Sequence, residues 1–143
     1  MKLILLLLAI CLNACVFAPG SYAFRKQYKI DSSFENLTIA IKHLKTEFPT
    51  YKAHFKDDDY NGTKHFYPVY FHLEKEQFVL HCLISSSVDH TTSYISLYSH
   101  STIKEYNTQY IINKDLKRKE NKKIIQIFEN DILSNLKKLL DIR

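Results

Sequence analysis

The sequence predicts an α+β fold, in which an antiparallel sheet of four to five strands forms a two-layer sandwich with an N-terminal and a C-terminal helix on one face. Two segments with apolar residues at helical spacing enclose a central region of alternating strands. Short polar links join the strands and favour antiparallel neighbours, because parallel strands need long crossovers. A chain of 143 residues has room for one domain, which we assign to residues 31–143.

The first helix is expected to follow a capping box, with Ser32 as the N-cap and Glu35 at position N3. Apolar residues recur at helical spacing from Phe34 to Phe48, and Pro49 ends the helix. The C-terminal helix is predicted from a second apolar stripe, which runs from Ile124 to Leu140. Both stripes are expected to pack on the sheet.

The sheet is predicted from runs in which polar and apolar residues alternate. Asn61-Gly62 is the strongest hairpin signal, because a two-residue turn of this kind needs positive φ. The preceding residues, Asp57 to Asp59, are interpreted as a solvated turn rather than a cation site. Pro68 indicates an edge strand or a bulge, since proline cannot donate to the hydrogen-bond ladder. The expected strands are 50–55, 65–73, 77–85, 94–100 and 108–112.

The first fifteen residues differ in character from the rest of the chain. Met1 and Lys2 precede an apolar run from Leu3 to Leu12, the pattern of a secretory signal peptide. The run is too short for a transmembrane helix, which needs about 20 apolar residues.

The residues Leu12-Asn13-Ala14-Cys15 resemble the lipobox of bacterial lipoproteins. This resemblance implies removal of residues 1–14, acylation of the Cys15 thiol, and a lipidated tether over residues 15–30. Lipoproteins with Asp after the cysteine tend to stay at the inner membrane. Here Val16 takes that position, which implies an envelope protein routed to the outer membrane. Ordinary signal-peptidase cleavage after Ala23 is the alternative.

Positive charge is concentrated at the start of the C-terminal helix. Residues 114–123 hold six basic side chains against Asp115 and Glu120, and the rest of the mature chain carries 13 charges of each sign. One interpretation is a solvated helix start. The other is contact with anionic lipid, to which each cation near the surface contributes about 1 kcal/mol. Nucleic acid is not an expected partner, because no recognition motif is present. The candidate lipid contacts are Lys117, Arg118, Lys119 and Lys122.

Several kinds of chemistry lack a motif. Gly20 and Gly62 are the only glycines, which excludes a glycine-rich phosphate loop and a nucleophile elbow. The seven histidines show no metal-ligand spacing, and only His72 and His81 are expected to approach each other across a hairpin. Cys82 is predicted to be a buried structural residue, with His81 on the other face of its strand. We therefore predict no catalytic residue, no metal and no cofactor.

The two faces of the sheet are expected to differ. Tyrosine offers a large, rigid contact area and a hydroxyl group, which suits a binding surface, although its strand propensity alone also explains its presence. Alternation assigns Val69, Phe71, Leu80, Cys82, Ile84, Ile95 and Leu97 to the helix-covered core. It assigns His54, Tyr70, His72, His81, Tyr94, Tyr98 and His100 to the opposite face, where Tyr70, His72, His81, Tyr94 and Tyr98 are the candidate partner-binding residues.

These observations favour a lipid-anchored, non-enzymatic module that binds a protein partner or serves in envelope assembly. Two alternatives stay open. One is an inhibitor or immunity protein directed against an envelope-acting enzyme. The other is a small hydrolase, because a pair of catalytic carboxylates leaves no local sequence signature.

Overall fold

The computed structural model describes residues 24–52 and 66–141. These residues form an antiparallel sheet of five strands together with helices, which confirms the predicted α+β sandwich. The signal peptide, Cys15, His54, the Asp57–Asp59 turn and Asn61-Gly62 lie outside the described residues. The strands are β1 Lys26–Ile30, β2 Phe66–Leu73, β3 Phe78–Ser86, β4 Ser93–Thr102 and β5 Tyr110–Ile111. The helices are α1 Phe34–Glu47, α2 Arg118–Ile127 and α3 Ser134–Leu139, with a 3-10 turn at Pro49–Tyr51 and a π-helical segment at Phe128–Leu133.

The order of the described strands is β1-β4-β3-β2, with β5 pairing β4 along the edge that β1 also uses. Leu97 is the last β4 residue opposite β1, and Ser99 is the first opposite β5. Strand β2, which contains Pro68, is therefore at an edge of the described sheet, as the proline predicts.

The core lies between one face of the sheet and the helices. All seven sheet residues assigned to the core from the sequence are 0 % exposed, and the thiol of Cys82 is buried among them. Leu37 and Leu44 of α1 belong to the same apolar cluster, as do Phe128 and Leu136 of the C-terminal helix. The helices therefore cover a single face of the sheet.

The start of α1 differs by one residue from the sequence prediction. Ser33, not Ser32, is the N-cap, and its Oγ accepts a hydrogen bond from the Asn36 backbone N–H at 3.2 Å. Glu35 still lies in the first turn, where a carboxylate interacts favourably with the helix dipole.

Two further segments differ from expectation. Residues 26–30, assigned to the tether, form β1, and residues 49–51 form a 3-10 turn where a strand was predicted from residue 50. Strand β1 has little apolar signal, because only Ile30 is fully buried and Tyr28 is half-buried. Its place in the sheet depends on backbone pairing with β4.

The C-terminal helix has an apolar residue at every fourth position from Ile124 to Leu136. On a regular α-helix such a series drifts by about 40° per step, because one turn holds 3.6 residues. The π-helical segment widens the turn and keeps the series directed at the core. Tyr28 of β1 packs on Phe128 at 5.4 Å between ring centroids, and its hydroxyl donates to Glu129 Oε1 at 2.9 Å. Within the described residues, no helix has the length and hydropathy needed to cross a membrane.

Candidate functional site

A β-bulge in β4 determines which side chains share a face of the sheet. Cys82 pairs with Leu97 and His81 pairs with Ser99, so Tyr98 is an extra residue with no partner position on β3. Beyond the bulge the alternation of β4 is inverted. His100 is opposite Leu80 and is therefore on the helix-covered side, contrary to the sequence prediction.

Ring contacts support this assignment. The His100 ring lies between that of Phe78, at 5.4 Å and 74°, and that of Tyr110, at 5.4 Å and 32°. Burial lowers the pKa of its imidazole, and the Glu120 carboxylate partly offsets that effect.

Three of the candidate residues form a cluster on the face turned away from the helices, which we call the outer face. The rings of Tyr70 and His81 are 5.2 Å apart and nearly perpendicular, at 77°. The rings of His81 and Tyr98 are 6.1 Å apart at 67°. Both tyrosines are half-buried, whereas His81 is 2 % exposed. The bulge thus turns Tyr98 towards His81 and makes an aromatic cluster from three strands.

His81 is an uncharged group at neutral pH. Its Nε2 lies 3.0 Å from Ser101 Oγ, and its Nδ1 is buried with no hydrogen-bond partner among the described residues. Burial, with a smaller contribution from His100, lowers the pKa of His81 to about 4. The centre of the outer face therefore holds polar atoms but no charge.

The other two candidate residues lie apart from this cluster. Tyr94 pairs with Ser85 and is four residues before Tyr98, a distance of about 13 Å along a strand. His72 pairs with Val79, and Tyr70, not His72, is opposite His81. His72 also borders a groove of about 520 Å³, together with Tyr51, Glu76 and Asp131.

The outer face also contains a row of buried serines that was not among the predicted site residues. Ser96, Ser99 and Ser101 of β4 are at most 2 % exposed and belong to the outer face. Ser99 Oγ donates to Gln109 Oε1 at 3.4 Å, and Ser101 contacts His81. The signal for this row is in the sequence of β4, where four of the ten residues are serine.

The candidate lipid contacts lie on a separate surface at the start of α2. All six basic residues of 114–123 are exposed, and none forms an ion pair with a residue in the described ranges. We call this set the basic surface; it consists of Lys114, Lys117, Arg118, Lys119, Lys122 and Lys123.

The first described residue is fixed beside the basic surface. Asn113 Nδ2 donates to the Phe24 carbonyl at 2.9 Å, and Asn121 of α2 accepts from the Asn113 backbone N–H at 2.8 Å. The Asn121 amide also donates to Asn113 Oδ1 at 2.6 Å. Lys114 Nζ is 5.9 Å from the centre of the Phe24 ring. Asn113 adopts φ of 62°, a conformation that asparagine tolerates well.

Among residues 24–52 and 66–141, no group of three or more His, Cys, Asp or Glu side chains could hold a metal ion. No protein-family model matches the sequence, and neither the search of curated proteins nor that of solved structures finds a significant match.

Proposed function

We propose that the protein is a lipid-anchored component of the bacterial cell envelope, held through Cys15, and that its domain is a non-enzymatic module that binds an envelope protein through the outer face. The candidate contacts are Tyr70, Tyr94 and Tyr98, and the buried His81 ring supports Tyr70 and Tyr98 from below. The partner is expected to present apolar and hydrogen-bonding groups rather than charges.

The observation that carries this proposal is the composition of strands β2, β3 and β4. β2, β3 and β4 contain no Asp, Glu, Lys or Arg. A sheet with one solvated face ordinarily shows polar, often charged, residues on that face. Natural edge strands also carry charges that prevent unwanted pairing, and β2 has none. An uncharged surface with several tyrosines is suited to burial against a protein, because no charge has to be desolvated.

The test combines Tyr70→Ala, Tyr94→Ala and Tyr98→Ala in the full chain, expressed in its native host. Photo-cross-linking in intact cells is expected to yield one defined adduct with the parent protein and none with the triple variant. A matched control combines Ile39→Ala, Phe48→Ala and Tyr106→Ala, which removes exposed apolar groups elsewhere and should leave the adduct unchanged.

Near-ultraviolet circular dichroism checks that the triple variant is folded, because cross-strand pairs contribute up to about 1 kcal/mol each. A folded triple variant that still forms the adduct at full yield contradicts the assignment of the outer face.

The anchor is tested separately with Cys15→Ser. This variant should incorporate no labelled fatty acid and should accumulate as an uncleaved precursor or a soluble form. Fatty-acid incorporation equal to that of the parent protein contradicts lipidation at Cys15.

One loop favours an inhibitor as a second candidate. Val88 is 99 % exposed at the β3–β4 connection, where the Ser87 hydroxyl oxygen lies within hydrogen-bond distance of two acceptors, the Asp89 carboxylate and the Thr92 carbonyl oxygen, the latter at 2.7 Å. The Thr91 N–H donates to Asp89 Oδ1 at 3.1 Å, and these bonds lower the pKa of Asp89 to about 2. A preformed loop loses little entropy when it inserts an apolar side chain into a partner's pocket.

If the cross-linked partner is an enzyme, Val88→Asp should abolish inhibition of that enzyme, and Ser87→Ala should weaken it by removing the hydroxyl that holds the loop. Full inhibition by Val88→Asp excludes this candidate and leaves the outer-face proposal standing.

A further inference from the structure

The basic surface lies in the same part of the domain as Phe24, the first described residue. The chain leaves the described domain at Phe24, which is linked through Asn113 to Asn121 in the first turns of α2. Strand β1 holds the following residues in register with β4, from Lys26 opposite Leu97. An N-terminal lipid would therefore be attached on the side of the domain that carries the six exposed cations.

Covalent geometry limits how far this surface can be from the lipid. Phe24 is nine positions after Cys15 in the chain, and a fully extended chain of nine steps spans at most about 32 Å. Attraction between a cation and an anionic membrane extends over a Debye length, about 8 Å at physiological salt. Anchoring by Cys15 would thus keep the basic surface at a high effective concentration close to its binding range.

Within the described residues, Lys117, Arg118 and Lys119 take part in no ion pair. Lys117 is the N-cap of α2 and makes no side-chain capping bond, and Arg118 and Lys119 follow in the first turn. Positive charge at a helix N-terminus opposes the helix dipole. No ion pair with a described residue compensates for it, and the Phe24 ring beside these cations is 46 % exposed.

From these observations we infer that the basic surface, together with the Phe24 ring, rests on the anionic phospholipid membrane that carries the anchor and holds the domain against it in one orientation. The inference rests on the lipid anchor of the proposed function. Strand β4 spans about 13 Å from Leu97, which is beside Lys26, back to its first residue, Ser93. The loop that carries Val88 joins β4 at Ser93, the end of the strand that is farther from Lys26. In this orientation Val88 faces away from the bilayer.

The experiment uses the acylated full chain reconstituted in vesicles that carry a headgroup-level fluorescence quencher. One variant, Gln126→Cys, carries a fluorophore on the exposed side of α2 one turn beyond Lys122, and another, Val88→Cys, carries it on the β3–β4 loop. Cys82 is buried and does not compete for the label. Vesicles of phosphatidylglycerol with phosphatidylcholine are compared with vesicles of phosphatidylcholine alone.

The Gln126 reporter is expected to be quenched on the anionic vesicles, and the Val88 reporter on neither. Quenching should fall at least about threefold in 1 M salt, where the Debye length is about 3 Å. Replacement of Lys117, Arg118, Lys119 and Lys122 by Gln should have the same effect. The matched control replaces Lys42, Lys52, Lys75 and Lys104 by Gln, which removes four exposed cations elsewhere and should leave quenching unchanged.

Equal quenching of the Gln126 reporter on both kinds of vesicle overturns the inference, as does an equal loss in the two quadruple variants. Stronger quenching of the Val88 reporter than of the Gln126 reporter overturns the orientation. Failure of the parent chain to become acylated and insert into vesicles is a separate result, which rejects the anchor and not the behaviour of the basic surface.

Discussion

The central strands and the start of α2 have opposite electrostatic character. Strands β2 to β4 contain no formally charged residue, and the histidines at their centre are held neutral by burial. The basic surface carries six exposed cations that make no ion pair within the described residues. Strands β2 to β4 are suited to short-range contact with a partner, which becomes stronger when water is excluded. The basic surface is suited to long-range electrostatic attraction, which salt weakens. One small domain thus separates two kinds of recognition.

The two helix starts show the same contrast at the level of single residues. Ser33 and Lys117 have almost the same backbone conformation, with φ of −62° and ψ of 157° and 147° respectively. Ser33 caps its helix with a side-chain hydrogen bond, whereas Lys117 makes none. Equal geometry with unequal capping indicates that the start of α1 is adapted for stability and that the start of α2 is not.

The largest expected effect is a difference in the rate at which a thiol reagent reaches the two regions. The Cys82 thiol, at 0 % exposure, should react with a bulky reagent at least about a thousandfold more slowly than the thiol of a Lys122→Cys variant, because its reaction requires unfolding. Stopped-flow labelling with and without denaturant measures both rates, using protein whose Cys15 is acylated. Similar rates for the two thiols in native protein would contradict the burial of the uncharged region.

The second largest expected effect is a loss of stability when protonation of His81 places a charge in the uncharged sheet. The pKa of His81 is about 4 in the folded protein, against about 6.5 in an unfolded chain, so the unfolded state binds the proton first as pH falls. The contribution of His81 to stability is complete above pH 6.5 and is lost progressively down to pH 4, by up to about 3 kcal/mol.

Urea unfolding of the parent and of His81→Gln at a series of pH values measures this loss. The free energy of unfolding of the parent should fall more steeply than that of the variant between pH 6.5 and 4, while His100 and the carboxylates contribute equally to both. Parallel curves would show that His81 does not change its charge in a buried site.

The smallest expected effect is a change in the free energy of unfolding when the first residue of each helix start is replaced. Ser33→Ala should destabilise the fold by about 1 kcal/mol, and Lys117→Ser should stabilise it by about 0.5–1 kcal/mol. Thermal unfolding measures both changes, with Lys75→Ser in an exposed turn as a control of unchanged stability. The same Lys117→Ser variant should lower quenching of the Gln126 reporter on anionic vesicles. A loss of stability in Lys117→Ser would show that this lysine serves the fold.

Elements with strong local patterns are the ones that the sequence predicts well. The helical spacing of α1 and the alternation of β2, β3 and β4 give the right elements and all seven core residues. Strand β1 is not predicted because it is held at the sheet edge by backbone hydrogen bonds, which require no particular pattern of apolar residues in its sequence, KQYKI. The cap is displaced by one residue because two adjacent serines carry the same signal and only backbone conformation selects Ser33.

The outer face is predicted only in part, for a related reason. Tyr70, His81 and Tyr98 come from strict alternation, and the structure brings them together. The position of His100 is wrong because strict alternation takes no account of an inserted residue, and no glycine or proline marks the bulge. The π-helical segment was not predicted either. It is needed because apolar residues recur at every fourth position, and the significance of that spacing is clear only when the buried residues are known.

The bulge at Tyr98 has a consequence for how this strand tolerates changes in length. Tyr98 is the one residue of β4 that has no counterpart on β3, while its neighbours Leu97 and Ser99 pair with consecutive residues, Cys82 and His81. Deletion of Tyr98 would leave a regular ladder in which all the remaining residues of β4 keep their faces, and it would remove the contacts of the Tyr98 ring and the hydrogen bond from the Ile112 N–H. Deletion of a neighbouring core residue would instead shift side chains between the faces. A three-nucleotide deletion at this codon is therefore a simple genetic route by which related sequences could remove the aromatic cluster and retain the sheet.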